Sequence, residues 1–232
     1  MDLIWEGIGK AVWLLLTGDP EVMRVTLLSI QVSGAATIIS LLIGVPLGTA
    51  LALSRFPGRQ LVVSLVNTGM GMPPVVVGLF VTIMLWRNGP LGILHLLYTP
   101  AAMVIAQTVI AAPMVTGVTL AAMGSLNPKL RLQILALGAT RRQMLWLLMR
   151  EARLPLLAAV MAGFGAVISE VGASMMVGGN IYGQTRVLTT ATVMESSKGN
   201  FDVAIALGLI LLLLVWGVNL VLTYAQQRQR PM

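Results

Sequence analysis

The sequence has no cysteine, a single histidine and only three lysines. Without cysteine there is no disulfide, no thiolate nucleophile and no zinc–thiolate site. A lone His95 excludes a histidine cluster. None of Lys10, Lys129 and Lys198 is followed by Ser or Thr. The phosphate cradle G-x-x-x-x-G-K-[ST] is therefore missing, and ATP hydrolysis by this chain is not expected. There is no H-E-x-x-H, nucleophile elbow or carboxylate dyad, so no catalytic residue, resident metal or bound cofactor is expected. Charge is scarce as well: 10% of the 232 residues are charged, where soluble domains carry roughly 25%. Hydrophobic residues make up 57%, and the mean hydropathy is +0.89. This balance defines an integral membrane protein, all-α and built as one compact membrane domain. Asp2 and Glu6 stand where a secretion signal would be basic, and no small-residue cleavage site follows, so no removable targeting segment is read.

What is present is a set of long apolar runs. Five are long enough to cross a bilayer: roughly 25–53, 60–86, 100–123, 154–177 and 202–224. The stretch Leu3–Leu16 is shorter, carries Glu6 and Lys10, and reads as an interfacial amphipathic helix. Ten Lys and Arg fall on one side: Arg55, Arg59, Lys129, Arg131, Arg141, Arg142, Arg150, Arg153, Arg228 and Arg230. The other side holds Lys10, Arg24, Arg87, Arg186 and Lys198, and most of the acids. The bias places the C-terminus and the loop 124–153 in the cytoplasm and the N-terminus outside. The net charge of +7 is thereby explained without a nucleic-acid partner. The expected organisation is an N-terminal segment 1–20, a transmembrane domain 21–225 with the loop 124–153, and a basic tail 226–232.

The loop has its own grammar. Asn127-Pro128 offers an N-cap followed by proline in the first helical turn. Leu126, Leu130, Ile134 and Leu137 then form one apolar stripe. Gly138 suits the helix stop, and Thr140 with Gln143 forms the capping box of a second helix running to about Arg153. The loop reads as helix, glycine turn, helix, laid against the cytoplasmic face. Its arginines can meet anionic headgroups or a soluble partner.

Within the spans, Ser29, Ser33, Thr37, Ser40, Gly44 and Gly48 share one face of the first. Ala159, Gly163, Ala166, Glu170 and Ala173 share one of the fourth. Such stripes either pack helices closely or line a polar route. Glu170, the one acid inside a span, must face protein or water; accepting backbone N–H groups, pairing across an interface and taking part in transport are its possible roles. Met72-Pro73-Pro74 interrupts the second span as a kink, a fresh helix start or a gate. The segment from Gly178 through Asn180 to Arg186 is either a plain outer turn or a backbone N–H cradle for an anion. Thr189, Thr190 and Thr192 line a route or fill a re-entrant helix.

The loop glycine Gly138 followed by Leu154-Pro155 resembles the coupling loop of ABC importer permeases. Leu132, Gln133 and Ile134 stand in place of the usual E-A-A, and the spacing to Pro155 is about one helical turn longer. The run ISEVGASMMVGGNI at Ile168–Ile181 is more specific, as are TRVLTTA at Thr185–Ala191, the ALGATRRQ and REARLPLL segments, Gly-Asp-Pro-Glu from Gly18 and Phe-Pro-Gly-Arg from Phe56. Together they resemble the permease subunits of bacterial tungstate importers over nearly the whole chain. The resemblance implies a type I importer permease fold and a homodimer with the pathway between its copies. It also implies two ATP-binding cassette subunits that use ATP and magnesium, an external oxyanion-binding protein, and alternating access in the bacterial inner membrane. It assigns ATPase coupling to Leu137, Gly138, Ala139, Thr140, Arg141 and Arg142. A weakly held dianion implies hydroxyls along the route, at Ser29, Ser33, Ser169, Ser174 and Thr189, with Glu170, Asn180 and the Pro73-Pro74 elbow beside them. Molybdate or sulfate is the alternative cargo. A passive channel or ion-driven transporter is the alternative class, disfavoured by the single intramembrane acid and the want of an inverted repeat.

Overall fold

The structure is a computed structural model that describes residues 2–227; Arg228 and Arg230 of the basic tail lie outside the described residues. Every regular element among these is helical: α1 (Asp2–Thr17), α2 (Pro20–Leu53), α3 (Arg59–Met70), α4 (Pro74–Leu85), α5 (Pro100–Gly124), α6 (Pro128–Ala136), α7 (Arg141–Glu151), α8 (Arg153–Ile168), α9 (Gly172–Gly178), α10 (Leu188–Ser197) and α11 (Phe201–Gln227). Three are single helices long and apolar enough to cross a membrane: α2, α5 and α11. The other two expected spans are broken. The second divides into α3 and α4, bent by 100° at the break, because Pro73 and Pro74 cannot donate to the preceding turn. The fourth divides into α8 and α9 at Ser169–Val171.

The bundle is held by α2 against α5. The small-residue stripe of α2 faces α5, with Ser29, Ser33, Thr37, Ser40, Gly44 and Gly48 all buried. A Cβ on Gly44 would lie 2.7 Å from Val115, and one on Gly48 2.7 Å from Thr119, so these helices touch backbone to side chain. In lipid, where no hydrophobic force draws helices together, such close approach supplies the association. Gly163 brings α8 to the same Val115, and α3 packs on α5 through Gly69 against Pro113.

The N-terminal helix α1 has 16 residues, about 24 Å of rise where a hydrocarbon core is about 30 Å thick. Gly7, Ala11 and Leu14 turn inward, and Lys10 Nζ meets Asp202 Oδ2 at 2.6 Å on α11. Trp5, Trp13 and Leu16 point away from the bundle.

Helix α10 runs beside α2 in the opposite direction. Its first N–H, at Leu188, donates to Ser29 Oγ at 2.8 Å, while Glu195 shares a cavity wall with Asp19 and Glu21 at the start of α2. The chain thus dips from Arg186, paired with Glu21 at 3.2 Å, to the depth of Ser29 and climbs back. It is a short helix folded back between α9 and α11.

Candidate functional site

Two regions carry the chemistry: the loop between α5 and α8, and the junction where the broken helices meet. In the loop, Asn127 Oδ1 accepts from Lys129 N at 2.9 Å and starts α6. Thr140 and Gln143 close a reciprocal capping box on α7. Between them Gly138 sits at φ +82° with nothing within 4 Å of its Cβ position, so its left-handed backbone, and not crowding, demands glycine. Ile134, Met144 and Leu148 bury against Met123 and Ala152, fixing the helix pair to the end of the bundle. Leu137 departs from the expected stripe. It lies one residue past α6 and is 88% exposed, because the turn into Gly138 rotates it off the buried face. Arg141, Arg142 and Thr140 are exposed beside it, with Ala139 half-buried. The loop therefore offers an apolar tip flanked by two guanidiniums. Other arginines are committed inward: Arg131 donates to Leu53 O at 2.9 Å and Arg59 to Leu51 O at 2.8 Å. Both satisfy carbonyls that the end of α2 leaves free.

At the junction, α4 and α9 pack against each other. A Cβ on Gly78 would lie 2.7 Å from Ala173 Cα, and one on Gly172 2.7 Å from Val75. The Pro73-Pro74 elbow and the Ser169–Val171 break are thus brought side by side. Glu170, 7% exposed, accepts from Ala173 N at 2.8 Å through Oε1 and so caps the first turn of α9. Its own carbonyl accepts from Thr189 Oγ1 at 3.0 Å. Ser174 accepts from Gln107 Nε2 at 3.2 Å, and Ser29 donates to Val25 O at 2.7 Å while accepting from Leu188 N.

The structure therefore links Glu170, Thr189, Ser174 and Ser29 to one another's elements. Ser33 lies buried one turn further along α2. Ser169 is exposed, its hydroxyl donating to Gly165 O at 2.8 Å. Pro73 is exposed and Pro74 half-buried at the elbow. Asn180 stands apart in the outer loop, at φ +50°. Gln107 was missed in the sequence reading. It is 2% exposed, and a primary amide in the middle of the apolar third span was the signal available. In the connection between α9 and α10 several N–H groups are already taken: Thr185 Oγ1 accepts from Ile181 N at 2.9 Å and donates to Gly178 O at 2.6 Å. Three further N–H groups of the loop, those of Gln184, Thr185 and Arg186, turn back onto Ile181 O.

Broken spans around a shared polar junction, with a helix pair fixed to one end of the bundle, define a polytopic membrane protein. The chain belongs to the family of binding-protein-dependent transport system inner membrane components, whose profile matches residues 44–231. A probable anion ABC transporter permease protein of Haloferax volcanii is 45% identical over 202 residues, covering 85% of this chain and 87% of that one. The tungstate uptake system permease protein of Peptoclostridium acidaminophilum is 40% identical over 227 residues, covering 98% of this chain and 100% of that one. The methionine ABC transporter MetNI in its inward-facing form matches with a TM-score of 0.73 at 22% identity, over 90% of this chain and 94% of the solved one. The fold is that of type I ABC importer permeases, and the chain is a multi-pass membrane permease subunit.

Proposed function

We propose that this chain is the permease of an ATP-driven importer that carries a tetrahedral oxyanion, tungstate, into the cytoplasm. The observation that carries the reading is the 40% identity, over 98% of the chain, with a tungstate uptake permease. Two copies pair, and the route runs between them. Ser169, exposed at the break beside Pro73, faces that seam, while Ser29, Ser33, Ser174, Glu170 and Thr189 hold the walls in place behind it. An external binding protein delivers the anion, and two ATPase subunits grip the α6–α7 loops. Leu137 with Arg141 and Arg142 enters a groove of the ATPase, and Gly138, Ala139 and Thr140 fix the angle of the two helices. ATP and magnesium act in the partner subunit. The α6–α7 loop and the C-terminus lie inside, and the N-terminus outside.

The test is ATPase stimulation in the purified, lipid-reconstituted complex by binding protein loaded with tungstate, molybdate or sulfate in turn. Tungstate-loaded protein is expected to stimulate most. Equal stimulation by sulfate would reassign the cargo, and transport without any ATPase subunit would overturn the class.

A further inference from the structure

The outer loop between α9 and α10 carries a feature that the transport reading leaves unused. Arg24 of α2 and Arg186 of the loop line one cavity of about 120 Å³ together with Glu21, Tyr182 and Gly183. That is room for several waters, at roughly 10–15 Å³ of such space each, or for one tetrahedral anion of five heavy atoms. The two guanidiniums enclose the Tyr182-Gly183 dipeptide. Arg186 Cζ stands 5.1 Å from the centre of the Tyr182 ring. The Cβ position of Gly183 lies 3.2 Å from Arg24 Nη1, 3.5 Å from its Cζ and 3.8 Å from its Nη2. Gly183 has φ +72°, a left-handed backbone that favours glycine, and an added Cβ would press on the end of the Arg24 side chain.

Within this cavity two guanidiniums meet one carboxylate, while Asp19 and Glu195 face Arg186 from the adjoining cavity. Glu21 Oε1 accepts from Arg186 Nη1 at 3.2 Å, and Arg24 has no ion pair or hydrogen bond within the described residues. Arg186 Nε is closed off from solvent without an acceptor. The amide N–H groups of Tyr182 and Gly183 also donate to nothing within the described residues. Two guanidiniums and two free amide N–H groups face this cavity, and Glu21 is the one carboxylate that lines it. An acceptor-only ligand with several oxygens completes this set, and a fork of guanidinium N–H groups suits a planar pair of anion oxygens.

We propose that Arg24, Arg186 and the Tyr182-Gly183 turn form a landing site for a tetrahedral oxyanion at the outer end of α2, where cargo is held between release from the binding protein and passage inward. Glu21 lies in the same cavity and opposes the anion, which keeps the site weak enough to release. The inference rests on the oxyanion-importer reading for its purpose, but its binding test does not require transport.

The experiment titrates sodium tungstate, and separately sodium sulfate and sodium chloride, into the full chain in lipid nanodiscs without partners, following tyrosine and tryptophan fluorescence and the thermal midpoint. Wild type is expected to show a saturable response to the dianions that chloride does not reproduce. Arg24→Gln is expected to raise the half-saturating tungstate concentration about tenfold, the scale of one charge-assisted bond. Gly183→Ala is expected to act in the same direction by displacing Arg24, Glu21→Gln to lower the half-saturating concentration, and Lys198→Gln to leave it unchanged. Because Arg24 is exposed, folding of its variant can be verified by an unaltered midpoint without anion. An unchanged titration in Arg24→Gln overturns the inference. So does the absence of a saturable wild-type response to either dianion. Should the dianion response be wild-type-like in Arg24→Gln while ATP-driven uptake persists, only the landing site fails. Should the response depend on Arg24 while no oxyanion is transported, only the importer reading fails.

Discussion

Gln107 shows how one polar side chain is made tolerable inside an apolar bundle. Its Nε2 donates to Ser174 Oγ, whereas its Oε1 is buried with no partner in the described residues. The amide is thus half satisfied, and its remaining bond is worth more than an average one, since a buried unpaired group costs about 1–3 kcal/mol. Ser174→Ala should therefore lower stability in detergent by about that amount. The double variant Gln107→Leu with Ser174→Ala should recover much of it, because removing both partners leaves nothing unsatisfied; thermal unfolding of the four proteins closes the cycle. Gly138 presents the opposite case, a residue chosen for backbone alone. With nothing near its Cβ position, Gly138→Val meets no clash but must hold a left-handed backbone at a cost of about 1–2 kcal/mol. Asn, which tolerates that region, should cost less. The expected readout is the ratio of anion moved to ATP hydrolysed in the reconstituted complex, falling in Val more than in Asn with anion binding unaffected.

At the scale of elements, the broken helices rest on two glycines. Gly78 lets α4 lie against the backbone of α9, and Gly172 receives Val75 in return. Gly78→Leu is expected to pry the pair apart and to abolish uptake, because Ala173 Cα cannot yield as a side chain could. Gly208→Ala, in α11 with open space around its Cβ position, should be silent or slightly stabilising, as alanine is the better helix former by about 1 kcal/mol. Thermal unfolding and uptake measured on both variants separate close packing from mere helix propensity. Which elements could be read in the sequence follows from the range of the forces. Asn127, Gly138 and the Thr140–Gln143 box are signals within four residues; α6 begins and ends, and α7 begins, where they place them, whereas α7 stops at Glu151, short of the expected Arg153, where α8 sets off at a bend of 70°. The break at Ser169–Val171 was not legible. The small-residue period runs on through Ala166, Glu170 and Ala173, and only the tertiary meeting with α4, plus the Glu170 cap on Ala173, ends α8 there. The stripe on α2 was legible as a face; that it packs on α5 became clear only from the position of Val115 and Thr119.

For the whole molecule the decisive property is sidedness, and the absence of cysteine makes it directly measurable. Any single introduced thiol is the only one in the chain. Ile93, 82% exposed, lies in the connection between α4 and α5, and Leu137, 88% exposed, lies at the tip of the connection between α5 and α8. One complete crossing, α5, separates them, so they must lie on opposite faces of the membrane. The distribution of Lys and Arg assigns Ile93 to the outside and Leu137 to the inside. In intact cells a membrane-impermeant maleimide is expected to label Ile93→Cys at once and Leu137→Cys only after permeabilisation. In inside-out vesicles the order reverses, and added ATPase subunit should then protect Leu137→Cys while leaving Ile93→Cys as it was. Labelling of Leu137→Cys from outside would invert the molecule and place the α6–α7 loop beyond reach of any cytoplasmic ATPase. Correct sidedness without protection would keep the topology and move the ATPase contact elsewhere on the inner face.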